Sequence, residues 1–158
     1  TEDERWFTTY TIGFKMIPKP VDMEGFNTLA VRDITAVDEP QPENPIVAAI
    51  DGNLDTRWSA QGMKDVWIQV DLGSIQKVDT LLMATYNGNA RCLYFKILLS
   101  KDGENFEEVY DGQTSGQTND LEQYDLGGKE ARYVRVSCYG TSSGDWNSVT
   151  ELIVAQKK

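Results

Sequence analysis

Apolar and polar residues alternate through a series of short runs, VWIQVDL, VDTLLMATY, LYFKILLS, FEEVYDG, LEQYDL, ARYVRVSCYG and VTELIVA, separated by Gly, Asp, Asn and Ser. A period of two over a few residues marks a half-buried strand, because successive side chains of an extended chain point to opposite faces. Seven such strands with turn residues between them predict an all-β, antiparallel sandwich or barrel beginning at about Leu29. Ser100-Lys101-Asp102-Gly103 contains an Asp-Gly step that tolerates positive φ, so LYFKILLS and FEEVYDG are expected to form a hairpin. The helical pattern is confined to one turn. Asn44 is placed to cap it, Pro45 suits the first helical position because its missing N–H is not needed there, and Asp51-Gly52 ends the turn after Ile46 to Ile50. Residues 1–28 read as one N-terminal strand, through the alternating Tyr10, Ile12, Phe14 and Met16, followed by a linker marked by Pro18 and Pro20.

Composition narrows the chemistry. With 158 residues, 40% hydrophobic and 25% charged, the chain suits a single globular domain and not a disordered or fibrous one. No apolar stretch approaches the roughly 20 residues that span a bilayer. There is no histidine, which excludes Ser-His-Asp and Cys-His nucleophile pairs and histidine-ligated zinc. A net charge of −10 opposes nucleic acid and anionic membranes as partners. Cys92 and Cys138 fit neither a zinc cluster nor a CxxC motif and leave two possibilities, a pair of buried thiols or one disulfide. The chain begins TEDERWF, without an initiator Met or a basic-then-apolar leader, and is expected to be a processed or excised segment whose targeting signal lies outside it.

The segment AAIDGNLDTRWS gathers Asp51, Asn53, Asp55 and Thr56 in a Gly-containing turn. Oxygens on a tightly curved backbone suit a hard cation, although a solvated loop with Asx-type hydrogen bonds has the same composition. The full EF-hand pattern is missing, so a cation site here needs a ligand from elsewhere in the chain.

DGNLDTRWSA, VWIQVDLGSIQKVDTLLM, FKILLSKDGENFEEVYDG and ARYVRVSCYGTSSGDWNSVTELIV occur in the order of the signature segments of the discoidin, or coagulation-factor C-type, domain. Through TYNGNARCLYFKI and GTSSGDWNSVTEL the chain most resembles family 32 carbohydrate-binding modules, especially those attached to polysaccharide lyases. The resemblance covers about residues 29–158 and leaves 1–28 outside. It implies a jelly-roll β-sandwich of about eight strands, galactose-binding-like, with a structural calcium and a glycan-binding surface on loops at one end. It also implies the ligands of that ion: the carbonyls of Ala48, Asn53 and Thr150, the carboxylates of Asp51 and Glu151, and the carbonyl and hydroxyl of Thr56. In the alternative reading Asp51 merely makes the turn and Glu151 caps the last strand.

A sugar ring offers an apolar face and a rim of hydroxyls, so a site for it needs an aromatic side chain plus amide or guanidinium donors. Two loops supply them: Tyr86, Asn89 and Arg91 in one, Trp146 and Asn147 in the other. The structural alternative has Tyr86 finishing a strand, Arg91 paired with a carboxylate and Trp146 covering the core edge. Trp58 reads as core, and Trp67 as core or a strand-edge cover.

These features favour a non-catalytic carbohydrate-binding module, secreted or at the cell surface, that holds an attached enzyme or surface protein on a polysaccharide. A guanidinium can grip a carboxylate through two parallel hydrogen bonds, so Arg91 points to an acidic, uronic-acid polymer, with a neutral galactose-type sugar as the alternative. An adhesion or phospholipid-binding C-type domain is the second class. The acidic charge and small polar loops count against it. A carboxylate-pair hydrolase is the third, but Asp51 and Glu151 are better used as calcium ligands.

Overall fold

The computed structural model describes residues 18–37 and 41–158; the strand expected at Tyr10 to Met16 lies outside the described residues. The strands are β1 (Phe26–Thr28), β2 (Asp33–Ala36), β3 (Trp58–Gln61), β4 (Val66–Thr85), β5 (Leu93–Ser100), β6 (Glu107–Gln113), β7 (Glu122–Thr141) and β8 (Trp146–Lys157). All pairings are antiparallel. Two runs read separately in the sequence, VWIQVDL and VDTLLMATY, are the two halves of β4, and LEQYDL and ARYVRVSCYG are the two halves of β7. The turn-like residues between the halves mark bends, with Gly73 at φ 85° and Gly127 at φ 77° and a shift of register between Asp71 and Gln76.

These bends make a sandwich out of one hydrogen-bonded ladder. The first half of β4 lies between β2, where Ile34 faces Val70, and the second half of β7, where Val66 faces Cys138. Beyond β7 come β5 and β6, the expected hairpin. The second half of β4 lies between the first half of β7 and β8. The far edge of β8 carries β1 and β3, with Phe26 opposite Lys157 and Trp58 opposite Val149. Among the described residues the first strand of the sheet starts at Phe26.

Alternation matches the burial. Val66, Ile68, Val70 and Leu72 face the core, while Trp67, Gln69 and Asp71 are half-buried between them. Trp58 is fully buried, as its sequence context suggested. Trp67 is on the opposite face of β4, where the Arg135 guanidinium lies 4.0 Å from its ring and 4.0 Å from that of Phe106. Phe95, Tyr110 and Tyr124 close the core between β5, β6 and β7, with ring centroids 5.0 to 5.2 Å apart.

Ile46–Ile50 is a short 3-10 helix, but its cap differs from the expectation. Pro45 itself is the capping residue, in an extended conformation, and no side chain bonds the first turn. The Asn44 amide instead donates to Gln41 Oε1 at 2.7 Å. In the β5–β6 loop Gly103 has φ 81°. The Asp102 carboxylate accepts from the backbone N–H groups of Glu104 and Asn105, which hold its pKa well below the usual carboxylate range. Cys92 and Cys138 are both free thiols, and complete burial pushes Cys138 up to about 12.

Candidate functional site

At one end of the sandwich the chain leaves β4 at Tyr86 and turns sharply before entering β5. Asn87 makes the turn with φ 56°, and its carbonyl accepts from the N–H groups of Ala90 (2.9 Å) and Arg91 (3.0 Å). Asparagine tolerates this left-handed conformation better than most residues. Tyr86 is anchored to β8 by its N–H, which donates to the Ser148 carbonyl at 3.3 Å, while the residue as a whole is 38% exposed. Arg57, just ahead of β3, places its guanidinium 3.8 Å from the centre of that ring, and Arg91 lies 5.7 Å from it. Arg57 Nε also donates to Ser59 Oγ at 3.2 Å, and the Ser59 and Ser148 hydroxyls share a 2.7 Å hydrogen bond. With Gln41 and Trp146 these residues line a shallow cavity of about 220 Å³.

The cavity is basic within an acidic protein. Neither Arg57 nor Arg91 pairs with a carboxylate among the described residues. Burial, with a smaller contribution from the neighbouring Arg57 charge, lowers the pKa of Arg91 from its ordinary value. A guanidinium does not lose its proton in a protein, so the two cations coexist at a cost that a bound anion would relieve. The ring of Tyr86 and the indole of Trp146 add apolar surface beside the charge.

Of the residues singled out from sequence, Tyr86, Arg91 and Trp146 come together here. Asn89 does not line the cavity; it is exposed, and its N–H donates to Asn119 Oδ1 at 3.2 Å. Asn147 requires a correction. Its side chain is fully buried, accepting from Gly140 N–H (2.8 Å) and donating to the carbonyls of Ala60 (3.1 Å) and Gly62 (2.9 Å). Its amide is consumed in tying β3, β7 and β8 together and faces no ligand. Gln41, Arg57, Ser59 and Ser148 were missed as cavity residues. Alternation through Arg57, Trp58 and Ser59 carried part of the signal, since a buried Trp58 turns both neighbours to the other face.

A second cluster occupies the loop before β3. Asp51 Oδ1 accepts from Asn53 N–H at 3.0 Å, the Thr56 hydroxyl bonds to Asp51 Oδ2, and Thr56 Oγ1 also lies 3.0 Å from the Asn53 carbonyl. Glu151, on β8, reaches the same loop and accepts from Gly52 N–H at 3.0 Å. Burial, and then the nearby charge of Asp51, push Glu151 up to about 7. No group of three or more His, Cys, Asp or Glu side chains suited to a metal occurs among the described residues. Two carboxylates with neutral carbonyl and hydroxyl oxygens are nevertheless the donor set a hard cation takes, and the cost of charging buried Glu151 fits a positive neighbour. Ala48, Asp51, Asn53, Thr56, Thr150 and Glu151 are the residues that could hold one.

Comparison with known proteins adds an independent line. Residues 33–152 match the F5/8 type C domain. Among solved structures, the CBM32 of AlyQ in complex with 4,5-unsaturated mannuronic acid is 41% identical, with a TM-score of 0.77 over 81% of this chain and 97% of that one. A pectin-binding carbohydrate-binding module is 26% identical, with a TM-score of 0.76 over 80% and 91%. The polysaccharide lyase 8 family protein HylA of Enterococcus faecalis (strain ATCC 700802 / V583) is 30% identical over 88 residues, 55% of this chain. The match spans 6% of that relative's length. By the matched domain and the shared sandwich, the chain belongs to the F5/8 type C, or discoidin, domain family and within it groups with the family 32 carbohydrate-binding modules.

Proposed function

We propose that this chain is a non-catalytic carbohydrate-binding module whose arginine cavity holds a uronic-acid residue of an acidic polysaccharide. The observation that carries the reading is the convergence of Arg57 and Arg91 on Tyr86 without a carboxylate partner among the described residues. A uronate presents a carboxylate on a ring with an apolar face. One guanidinium grips the carboxylate through two parallel hydrogen bonds, the second adds charge, and Trp146 or Tyr86 packs against the ring. The Ser59 and Ser148 hydroxyls and the Gln41 amide complete the contacts to ring hydroxyls. The relative solved with an unsaturated mannuronic acid supports a uronate as the ligand class.

The cluster around Asp51 and Glu151 holds a structural calcium that ties the β3 loop to β8 and takes no part in chemistry. The module acts as a passenger of a larger secreted or cell-surface protein, a polysaccharide-degrading enzyme or an adhesin. The shallow cavity buries little of its ligand, so binding is weak per site.

Equilibrium titration with mannuronic acid and with galactose tests the reading. The uronate binds more tightly, and its affinity falls as salt rises while that of galactose does not. Equal affinity for the two sugars, with no dependence on salt, contradicts it.

A further inference from the structure

Tyr86 lines two cavities. The second, of about 400 Å³, is walled also by Asp55, Asn87, Asn119, Asp120 and Thr150, and neither Lys nor Arg lines it. Its chemistry is the opposite of the arginine cavity's: two carboxylates and two amides where the first has two guanidinium groups. Thr150 is 4% exposed, and its Oγ1 has no hydrogen-bond partner among the described residues. A buried hydroxyl left without a partner is costly. Asn119 is held in place because its Oδ1 accepts from Asn89 N–H, which leaves its amide hydrogens for another acceptor. The loop bearing Asn89 can approach Asn119 so closely because residue 88 is glycine: a Cβ there would run into the Thr118 carbonyl.

Carboxylate oxygens accept from hydroxyls but repel a carboxylate, so this cavity selects against an acidic sugar and for a neutral one. We propose that it is a second sugar subsite that takes an uncharged residue, so that the ligand is an oligosaccharide in which a uronate is linked to a neutral sugar. The inference rests on the uronate reading of the arginine cavity. A chain made of uronates throughout brings its second carboxylate against Asp55 and Asp120 and engages through one residue only.

Calorimetric titration of the whole chain, in saturating calcium, with glucuronic acid, a glucuronosyl-glucose disaccharide and di-glucuronic acid tests this. The mixed disaccharide binds about tenfold more tightly than glucuronic acid, whereas di-glucuronic acid gains no more than about twofold. Asn119→Ala returns the mixed disaccharide to within about twofold of glucuronic acid, and Asp120→Asn tightens di-glucuronic acid. Both positions are exposed, so neither change threatens the fold. A mixed disaccharide no tighter than glucuronic acid, an equal gain for di-glucuronic acid, or an unaltered gain in Asn119→Ala overturns the subsite, while intact glucuronic acid binding leaves the uronate reading standing. Failure of both glucuronic acid and mannuronic acid to bind contradicts the uronate reading, and the subsite with it.

Discussion

Arg57 and Arg91 sit in different loops and share one tyrosine ring, and the contributions to binding proposed for them separate by charge and by shape. Arg91→Lys keeps the charge but loses the planar fork. It is expected to weaken mannuronic acid about tenfold, roughly 1.4 kcal/mol, and galactose far less, as read by titration. Arg57→Ala is expected to do the same and also to free the Tyr86 ring it covers; equal losses for both sugars would contradict the role given to charge. Asn147 belongs to a different physics. Removing its amide strands the buried Gly140 N–H and Ala60 carbonyl and unpairs the half-buried Gly62 carbonyl, so Asn147→Ala is expected to cost about 2–6 kcal/mol in denaturant unfolding, at about 1–3 kcal/mol for each of the two buried groups. From sequence, Asn147 and Asn89 were indistinguishable polar residues in polar loops, because nothing local tells whether an amide will meet backbone or solvent. Arg91 was legible because it stands beside Tyr86 in a turn. Arg57 was not, because only the pairing of β3 with β8 and of β8 with β4 carries it to that ring.

At the scale of elements, period-two alternation was enough to identify the longer strands β4 to β8, since it records which face is dry. It could not show that β4 and β7 are continuous. The Gly73 and Gly127 steps carry the same residues as true turns, and whether the chain reverses or merely bends is decided by pairing with distant strands. The short strands β1, β2 and β3 were missed for a related reason: three or four residues are too few to display a period. The aromatic cluster of Phe95, Tyr110 and Tyr124 joins β5, β6 and β7 on the core side. Phe95→Ala is expected to destabilise the domain by about 3–5 kcal/mol in chemical denaturation, the usual cost of emptying a buried aromatic site. A loss under about 1 kcal/mol would mean that the core closes over the gap and that this cluster is not a main support.

Over the whole molecule, stability is expected to couple to calcium and to protons. Calcium at a hundredfold excess over its dissociation constant is expected to stabilise the fold by about 2.7 kcal/mol, and Asp51→Ala to remove that response; an unchanged melting temperature after demetallation contradicts the site. Protons act through Asp71, whose carboxylate accepts from Arg132 at 2.8 and 3.0 Å and is thereby held below its ordinary 3.8. The folded state binds that proton less readily than the unfolded chain does. The stabilisation is therefore complete above the ordinary value and is lost as pH falls through the folded one. Asp71→Asn is expected to lower stability at neutral pH and to flatten the acid limb below about pH 4; identical limbs in the two proteins would show that the pair contributes nothing. The central claim is that a basic cavity on an acidic sandwich grips a uronate. It is tested most directly by nuclear magnetic resonance titration with mannuronic acid, following the side-chain Nε–H signals of Arg57 and Arg91 and the indole N–H of Trp146. The account predicts that these signals shift together with one saturation curve while those of the β5–β6 loop stay fixed; saturable binding that leaves all three unmoved would contradict it.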